Sequence, residues 1–244
     1  MRRGSRIRVA GVEVGLFPES LPLNPRFRPN MQRIKLEVDI EWQQEARVGA
    51  LGEVEEALVE ISPNLRRHEC RGQPEYRILR APGPRGASGE DGGEPIEIPL
   101  ALAHLLEHLM IDAVAALTGE PLVSGATGAR WDSRRRFDIF VECPDDALAP
   151  LVVRLSVDWM RAAIAGRRLD GTGRPALELA QDLYARAARG LDTKIWARRR
   201  GRDPRQVESA LRWLEKNGFV RREETRVYYS LVEPRPRKHR PRRR

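Results

Sequence analysis

The sequence predicts an α+β fold, a sheet with packed helices, on three observations. Gln32–Ile40 alternates Ile34, Leu36, Val38 and Ile40 with Lys35, Glu37 and Asp39, the period-two pattern of a strand with one buried face. Pro99 to about Leu117 is a long apolar run with Pro at its start and Gly119 just beyond its end, the punctuation of a helix. Past residue 174 the pattern changes to short helices followed by two β-rich segments, so a second, smaller unit follows the first.

In order along the chain, residues 1–30 are rich in Arg, Pro and Gly and predict a surface arm with a short strand at Ile7–Val14. Residues 31–173 form the expected α+β domain. In it, a helix over Gly52–Ile61 is closed by Ser62-Pro63-Asn64, and residues 81–95 have linker composition and predict a mobile loop. The long helix comes next, then a strand at Arg135–Glu142. An amphipathic helix follows over Asp145–Ala165, opened by acids and stopped by Gly166. Asp170–Arg174 is a Gly-containing hinge and the expected domain boundary. Residues 174–233 then carry helices at Ala176–Ala188 and Thr193–Arg199, and a third capped by Asp203-Pro204 and running to about Lys216. Phe219–Arg222 and Arg226–Leu231 read as a hairpin. Three helices and a hairpin predict a winged helix-turn-helix, and residues 234–244 a disordered basic tail.

Composition narrows the classes of function. The chain has 244 residues, 41% hydrophobic and 32% charged, which fits globular domains and excludes a disordered or fibrous chain. No stretch reaches the roughly 20 uncharged apolar residues of a membrane span, so no membrane partner is expected. The basic start is followed by no apolar run of the kind a secretory signal needs. Two cysteines, Cys70 and Cys143, exclude a disulfide framework and favour the cytoplasm. Net charge is +9, but residues 235–244 alone hold seven Lys/Arg and no acid. The charge therefore points to an anionic partner for the C-terminal end only.

The segment richest in chemistry is His104-Leu105-Leu106-Glu107-His108 in the long helix. Side chains four apart on a helix lie one above the other, so two imidazoles at this spacing can share one metal ion at Zn–N distances of about 2.0–2.1 Å. Glu107 lies three residues from His104 and one from His108, beside the same ion, where it can take a proton from a metal-bound water. H-x-x-E-H is the inverted zinc-peptidase motif, with two His ligands and a Glu base. The bland alternative is a pair of histidines that only pack or face solvent. A third ligand is needed for a catalytic zinc; Glu178 is the first candidate and Glu142 the second. His68 with Cys70 lacks two ligands and reads as structural, and Cys143 reads as a buried thiol.

The run from Arg28 to about Asp182 resembles the N-terminal domain of cyanophycin synthetases. The resemblance is carried by RPNMQRIKLEVDIE, LVEISPNLRRHEC, AHLLEHLMIDAVAALTGEP, RRRFDIFVEC and PALELAQDL. It implies an α+β domain related to the inverted-motif zinc peptidases, associated in some members with cutting an arginine–aspartate polymer. It also implies that His104 and His108 are ligands and Glu107 the base, with Glu178 where the peptidase relatives place a third ligand. The family's Gly-Pro-Asn appears here as Arg28-Pro29-Asn30, and its Gly-x-Thr-Arg as Gly125-Ala126-Thr127-Gly128-Ala129-Arg130, with the Arg displaced. The ATP-grasp and ligase segments that make the polymer are not in this sequence, so synthesis of the polymer is not expected.

In a winged helix the third helix enters the major groove and the hairpin lies along the backbone. Arg205, Gln206, Ser209, Arg212 and Lys216 on that helix, with Arg221, Arg222 and Arg226 on the hairpin, are the candidate DNA contacts. Glu208, Glu215, Glu223 and Glu224 would oppose DNA. Two functions follow: a zinc-dependent amide hydrolase acting on a peptide-like substrate, or a DNA-associated regulator whose first domain is an inactive ligand sensor.

Overall fold

In the computed structural model the described residues are 6–42, 49–65, 98–133, 135–167, 173–186, 191–223 and 226–229. Strands β1 (Arg6–Gly15), β2 (Arg33–Glu41), β3 (Gly125–Ala129) and β4 (Arg136–Glu142) make one antiparallel sheet in the order β1-β2-β4-β3. β2 is the strand that the alternation predicts. Ile34, Leu36, Val38 and Ile40 are at most 1% exposed, and they pair with the apolar face of β4, Val141, Ile139 and Phe137.

The segment expected as an arm is structured. β1 is an edge strand along its whole length, and a 3-10 turn at Pro18–Leu23 follows it. That turn carries the chain over the outer face of the sheet, where Phe17 and Leu21 pack on Phe27, Ala126 and Phe140.

Of four helices on the other side, α1 (Gly49–Val59), α2 (Ile98–Thr118), α3 (Ala149–Ile164) and α4 (Arg174–Arg186), α2 and α3 pack on the sheet and α1 and α4 pack against them. α2 packs on β2, β3 and β4 and against α3 and α4. It is apolar on nearly every side because it is surrounded, as a central core helix must be. By length and composition it could cross a membrane, but 83% of the qualifying window is buried inside this fold.

The helix expected from Asp145 begins four residues later. Asp145 accepts from the Ala147 N–H and caps a 3-10 turn at Asp146–Leu148, and α3 starts at Ala149. Pro150 lacks an N–H and fits only the first turn of a helix, which fixes the start.

Beyond α4 come β5 (Leu191–Asp192), α5 (Thr193–Arg200), α6 (Pro204–Lys216), β6 (Val220–Glu223) and β7 (Arg226–Tyr229). The three strands form an antiparallel sheet in the order β5-β7-β6. Asp192 caps α5 by accepting from the Lys194 and Ile195 N–H groups, and Gly201 closes it at φ 60°, a left-handed conformation that favours glycine. Val207, Ala210, Leu211 and Leu214 form the buried stripe of α6.

The expected boundary at 173/174 coincides with the start of α4. The apolar cluster nevertheless runs through it: Leu179, Leu183, Leu211 and Leu214 belong to the same core as Ile34 and Leu106. His68, Cys70, residues 81–95, Glu224 and the 234–244 tail lie outside the described residues.

Candidate metal centre

The alternation of the sheet decides what α2 meets. Gly125 and Thr127 pair with Val141 and Ile139, so they share the face that looks at α2. Opposite them, His104, Glu107 and His108 project from successive turns of the helix and are 1%, 3% and 2% exposed. Their ligand atoms all lie within 4.8 Å of one another. The imidazole centroids are 4.3 Å apart with the rings inclined at 59°.

Glu107 is held from two sides. The Thr127 hydroxyl donates to its Oε2 at 2.5 Å, and His104 Nδ1 lies 3.4 Å from the same oxygen. A Cβ on Gly125 would stand 2.8 Å from Glu107 Oε1, closer than side chains pack, so only glycine lets β3 approach this far. The Asn24 side-chain amide donates to the Gly125 carbonyl at 2.7 Å and ties the covering turn to the same strand. Thr127 and Gly125 are supporting residues that the sequence reading did not assign. Their only signal was the Gly-Ala-Thr-Gly-Ala run itself.

A carboxylate buried this deeply must be compensated by hydrogen bonds or positive charge. Two imidazoles and one carboxylate suit a borderline divalent ion such as zinc, whose charge would more than balance the single negative group. The donor chemistry of the site therefore fits a metal.

Neither expected third ligand joins this group of three. Glu142 follows Val141 on β4, so it falls on the opposite face of the sheet. There it is 1% exposed and accepts from Arg28, through the backbone N–H at 2.7 Å and the guanidinium Nη2 at 3.0 Å. Its neighbour across the ladder is Arg33, fully buried, with its guanidinium donating to the Leu16 and Arg28 carbonyls. Glu178 sits on α4 and accepts from Arg174 Nε at 3.0 Å and from Arg202 Nε at 2.9 Å, with a second bond from Arg202 Nη2. Both carboxylates are committed to arginines. Among the described residues, the groups that converge here are His104, Glu107 and His108 alone.

Cys143 is fully buried, and its thiol donates to the Asp145 carbonyl at 3.0 Å. Burial pushes the thiol up to about 11, far from a nucleophile.

The candidate DNA contacts lie on α6 and the β6–β7 hairpin. Arg205, Gln206, Arg212, Lys216, Arg221, Arg222 and Arg226 are exposed and Ser209 half-buried. Two of them pair with carboxylates of the same module: Arg222 donates to Glu215 at 3.1 Å and to Glu208 at 3.2 Å, and Arg212 to Glu208 at 3.3 Å. Burial, the largest single influence, raises the Glu208 carboxyl, but the bonds and charges of Arg222 and Arg212 together outweigh it and hold the group below its ordinary value.

Comparison with known proteins finds no matching family model, no matching curated protein and no matching solved structure.

Proposed function

We propose that the chain is a metal-dependent amide hydrolase, with zinc as the ion and a peptide-like substrate. The observation that carries the reading is the convergence of His104, Glu107 and His108 within 4.8 Å on one face of a buried helix. When bound, the ion would polarise the scissile carbonyl and acidify the attacking water. His104 and His108 would hold it. Glu107, oriented by the Thr127 hydroxyl, takes the proton from the water and returns it to the leaving amine. The dry surroundings of the helix strengthen these electrostatic interactions. A substrate reaches a group this buried only when the covering elements part, so turnover requires that motion.

The resemblance to the cyanophycin synthetase N-terminal domain supports the same residues and makes an arginyl–aspartate polymer the first substrate to try. The test is elemental analysis of protein purified without a chelating tag, beside the His104→Ala/His108→Ala variant. About one zinc per chain, lost in the variant, supports the site, and cleavage abolished by Glu107→Gln supports the chemistry. A native protein that takes up no metal even when zinc is supplied overturns the reading.

A second reading takes the order α4, α5, α6 and the β6–β7 hairpin as a winged-helix-like module. As a duplex-binding module it would offer Arg205 and Gln206 to base edges and Lys216, Arg221 and Arg226 to phosphates. The Arg212 and Arg222 pairs with Glu208 and Glu215 weaken it, because those carboxylates must be set aside first. Duplex affinity that falls steeply with salt supports this reading, and none at low salt overturns it.

A further inference from the structure

Among the described residues, no strand pairs with the outer edge of β1. β1 is ten residues long, and an edge of that length offers a row of unpaired backbone groups. Which residues turn toward the opening follows from the ladder. Ile40 N donates to Arg135 O, on the far side of β2, so Ile7 opposite it points its own N–H and C=O away from β2. Arg161 confirms the direction: it reaches from α3 and donates to the Ile7 carbonyl at 3.0 and 3.1 Å. Beyond that contact, Val9, Val12 and Val14 keep the open edge.

The strand contains one bulge. Val9 pairs with Val38 and Gly11 with Glu37, so Ala10 is an extra residue. The bulge resets the alternation. Ile7, Val9, Val12 and Val14 all lie on the helix-covered face, opposite Ile40, Val38, Leu36 and Ile34, while Arg8 and Glu13 lie on the other face, opposite Asp39 and Lys35. The edge therefore reads apolar–Arg–apolar, bulge, apolar–Glu–apolar. Reversed, it matches itself with the charges exchanged. Neither Arg8 nor Glu13 is in an ion pair among the described residues.

On the helix-covered side a groove of about 570 Å³ runs between this strand and α3, bordered by Val9, Val12, Val14, Pro150, Val153 and Val157. Val12 and Val14 are 43% and 37% exposed there.

We propose that β1 pairs antiparallel with β1 of a second copy of this chain across a two-fold axis at the Ala10–Gly11 bulge, setting Arg8 opposite Glu13 of the partner subunit. In this register Val9 faces Val12 of the partner subunit, and Ile7 faces Val14 of the partner subunit. Both bulges meet at the axis, so the extra residues cancel and the ladder resumes on each side. The two Val9–Val12 pairs then use the backbone groups that β2 leaves open. Two opposite-charge pairs form by symmetry on the outer face, and the apolar row continues on the inner one. The carbonyl of Ile7 keeps Arg161 at each end and marks where the pairing stops. Charge complementarity favours a second copy over an unrelated extended peptide, because the strand supplies its own counter-charge in the one register that also aligns its valines.

The experiment is light-scattering mass measurement of the full chain over a range of concentrations. The native chain is expected at twice the monomer mass. Arg8→Glu and Glu13→Arg each place two like-charged pairs across the axis and are expected to weaken the dimer at least about tenfold. Arg8→Glu/Glu13→Arg restores opposite charges and is expected to restore the native mass. Unchanged far-ultraviolet circular dichroism in the single variants separates dissociation from unfolding. A native chain monomeric at every concentration overturns the proposal. So does a dimer indifferent to the single changes, or a double variant that stays monomeric.

Discussion

The Thr127 hydroxyl donates to the Glu107 carboxylate at 2.5 Å, so the edge strand β3 and the central helix α2 meet through a buried charge-assisted hydrogen bond. Thr127→Val keeps the shape and removes the donor. Leaving a buried carboxylate short of one bond costs about 1–3 kcal/mol, and Thr127→Ser should recover most of it. Urea denaturation of the three proteins measures this. If the carboxylate also faces an ion, zinc affinity should fall about 10–100-fold in the valine variant, as for other supporting partners of a ligand. An unchanged affinity would separate Thr127 from the metal.

Gly125 acts on the same carboxylate by shape. The added methyl of Gly125→Ala would meet Glu107 Oε1 at 2.8 Å, Glu107 Cγ at 2.9 Å and Ile111 Cδ1 at 2.9 Å. No flexible tip is available to move, because Glu107 and Ile111 are themselves buried. Overpacking of this kind costs about 1–3 kcal/mol. Gly128, on the outer face of the same strand, meets nothing closer than 3.7 Å, and alanine there should be nearly neutral. Equal losses at the two positions would show that β3 is not held against the helix.

Why β3 was not legible follows from its residues. Gly-Ala-Thr-Gly-Ala offers one β-branched side chain and no large apolar ones, so it carries no period-two signal. It is a strand because β4 supplies its ladder and α2 its packing, both long-range causes. β2, the long helix and α6 were legible because their apolar rows are the cause of their burial. The Pro150 correction at α3 was also in the sequence, outweighed there by the acids before it. The pairing of His104, Glu107 and His108 needed only helical spacing. That neither expected third ligand joins them was not legible, since Glu178 is claimed by Arg202 and Glu142 by Arg28, partners that no local pattern reveals.

Those two carboxylates should respond differently to removal of charge. Glu178→Gln breaks pairs with Arg174, half exposed, and Arg202, partly exposed, and should cost about 1 kcal/mol. Glu142→Gln strips the counter-charge from a region holding the fully buried Arg33, and should cost about 3 kcal/mol, the low end for buried pairs because Arg28 stays partly exposed. Metal content should be native in both variants. Loss of zinc from folded Glu178→Gln would return that residue to the ligand set.

Asp145 links two groups whose titration gives the fold an alkaline limit. Its carbonyl accepts from the Cys143 thiol, and its Oδ2 accepts from the Tyr184 hydroxyl at 2.6 Å. Burial pushes the thiol from 9.0 to about 11, and burial followed by the bond to Asp145 pushes the phenol from 10.0 to about 12. Both groups are held in their neutral forms more firmly in the fold than in the unfolded chain. Their contribution is therefore intact below about pH 9. It is lost as the pH rises through 11 and 12, because the unfolded chain releases its protons first. Urea midpoints measured from pH 8 to pH 11 should fall, and fall less steeply in Cys143→Ala and Tyr184→Phe than in the native chain. At pH 8 Cys143 should resist iodoacetamide until denaturant is added, as mass spectrometry of the labelled peptide would show. Rapid labelling of the native protein, or an alkaline decline unchanged in both variants, would mean that neither group is as deeply held as its burial indicates.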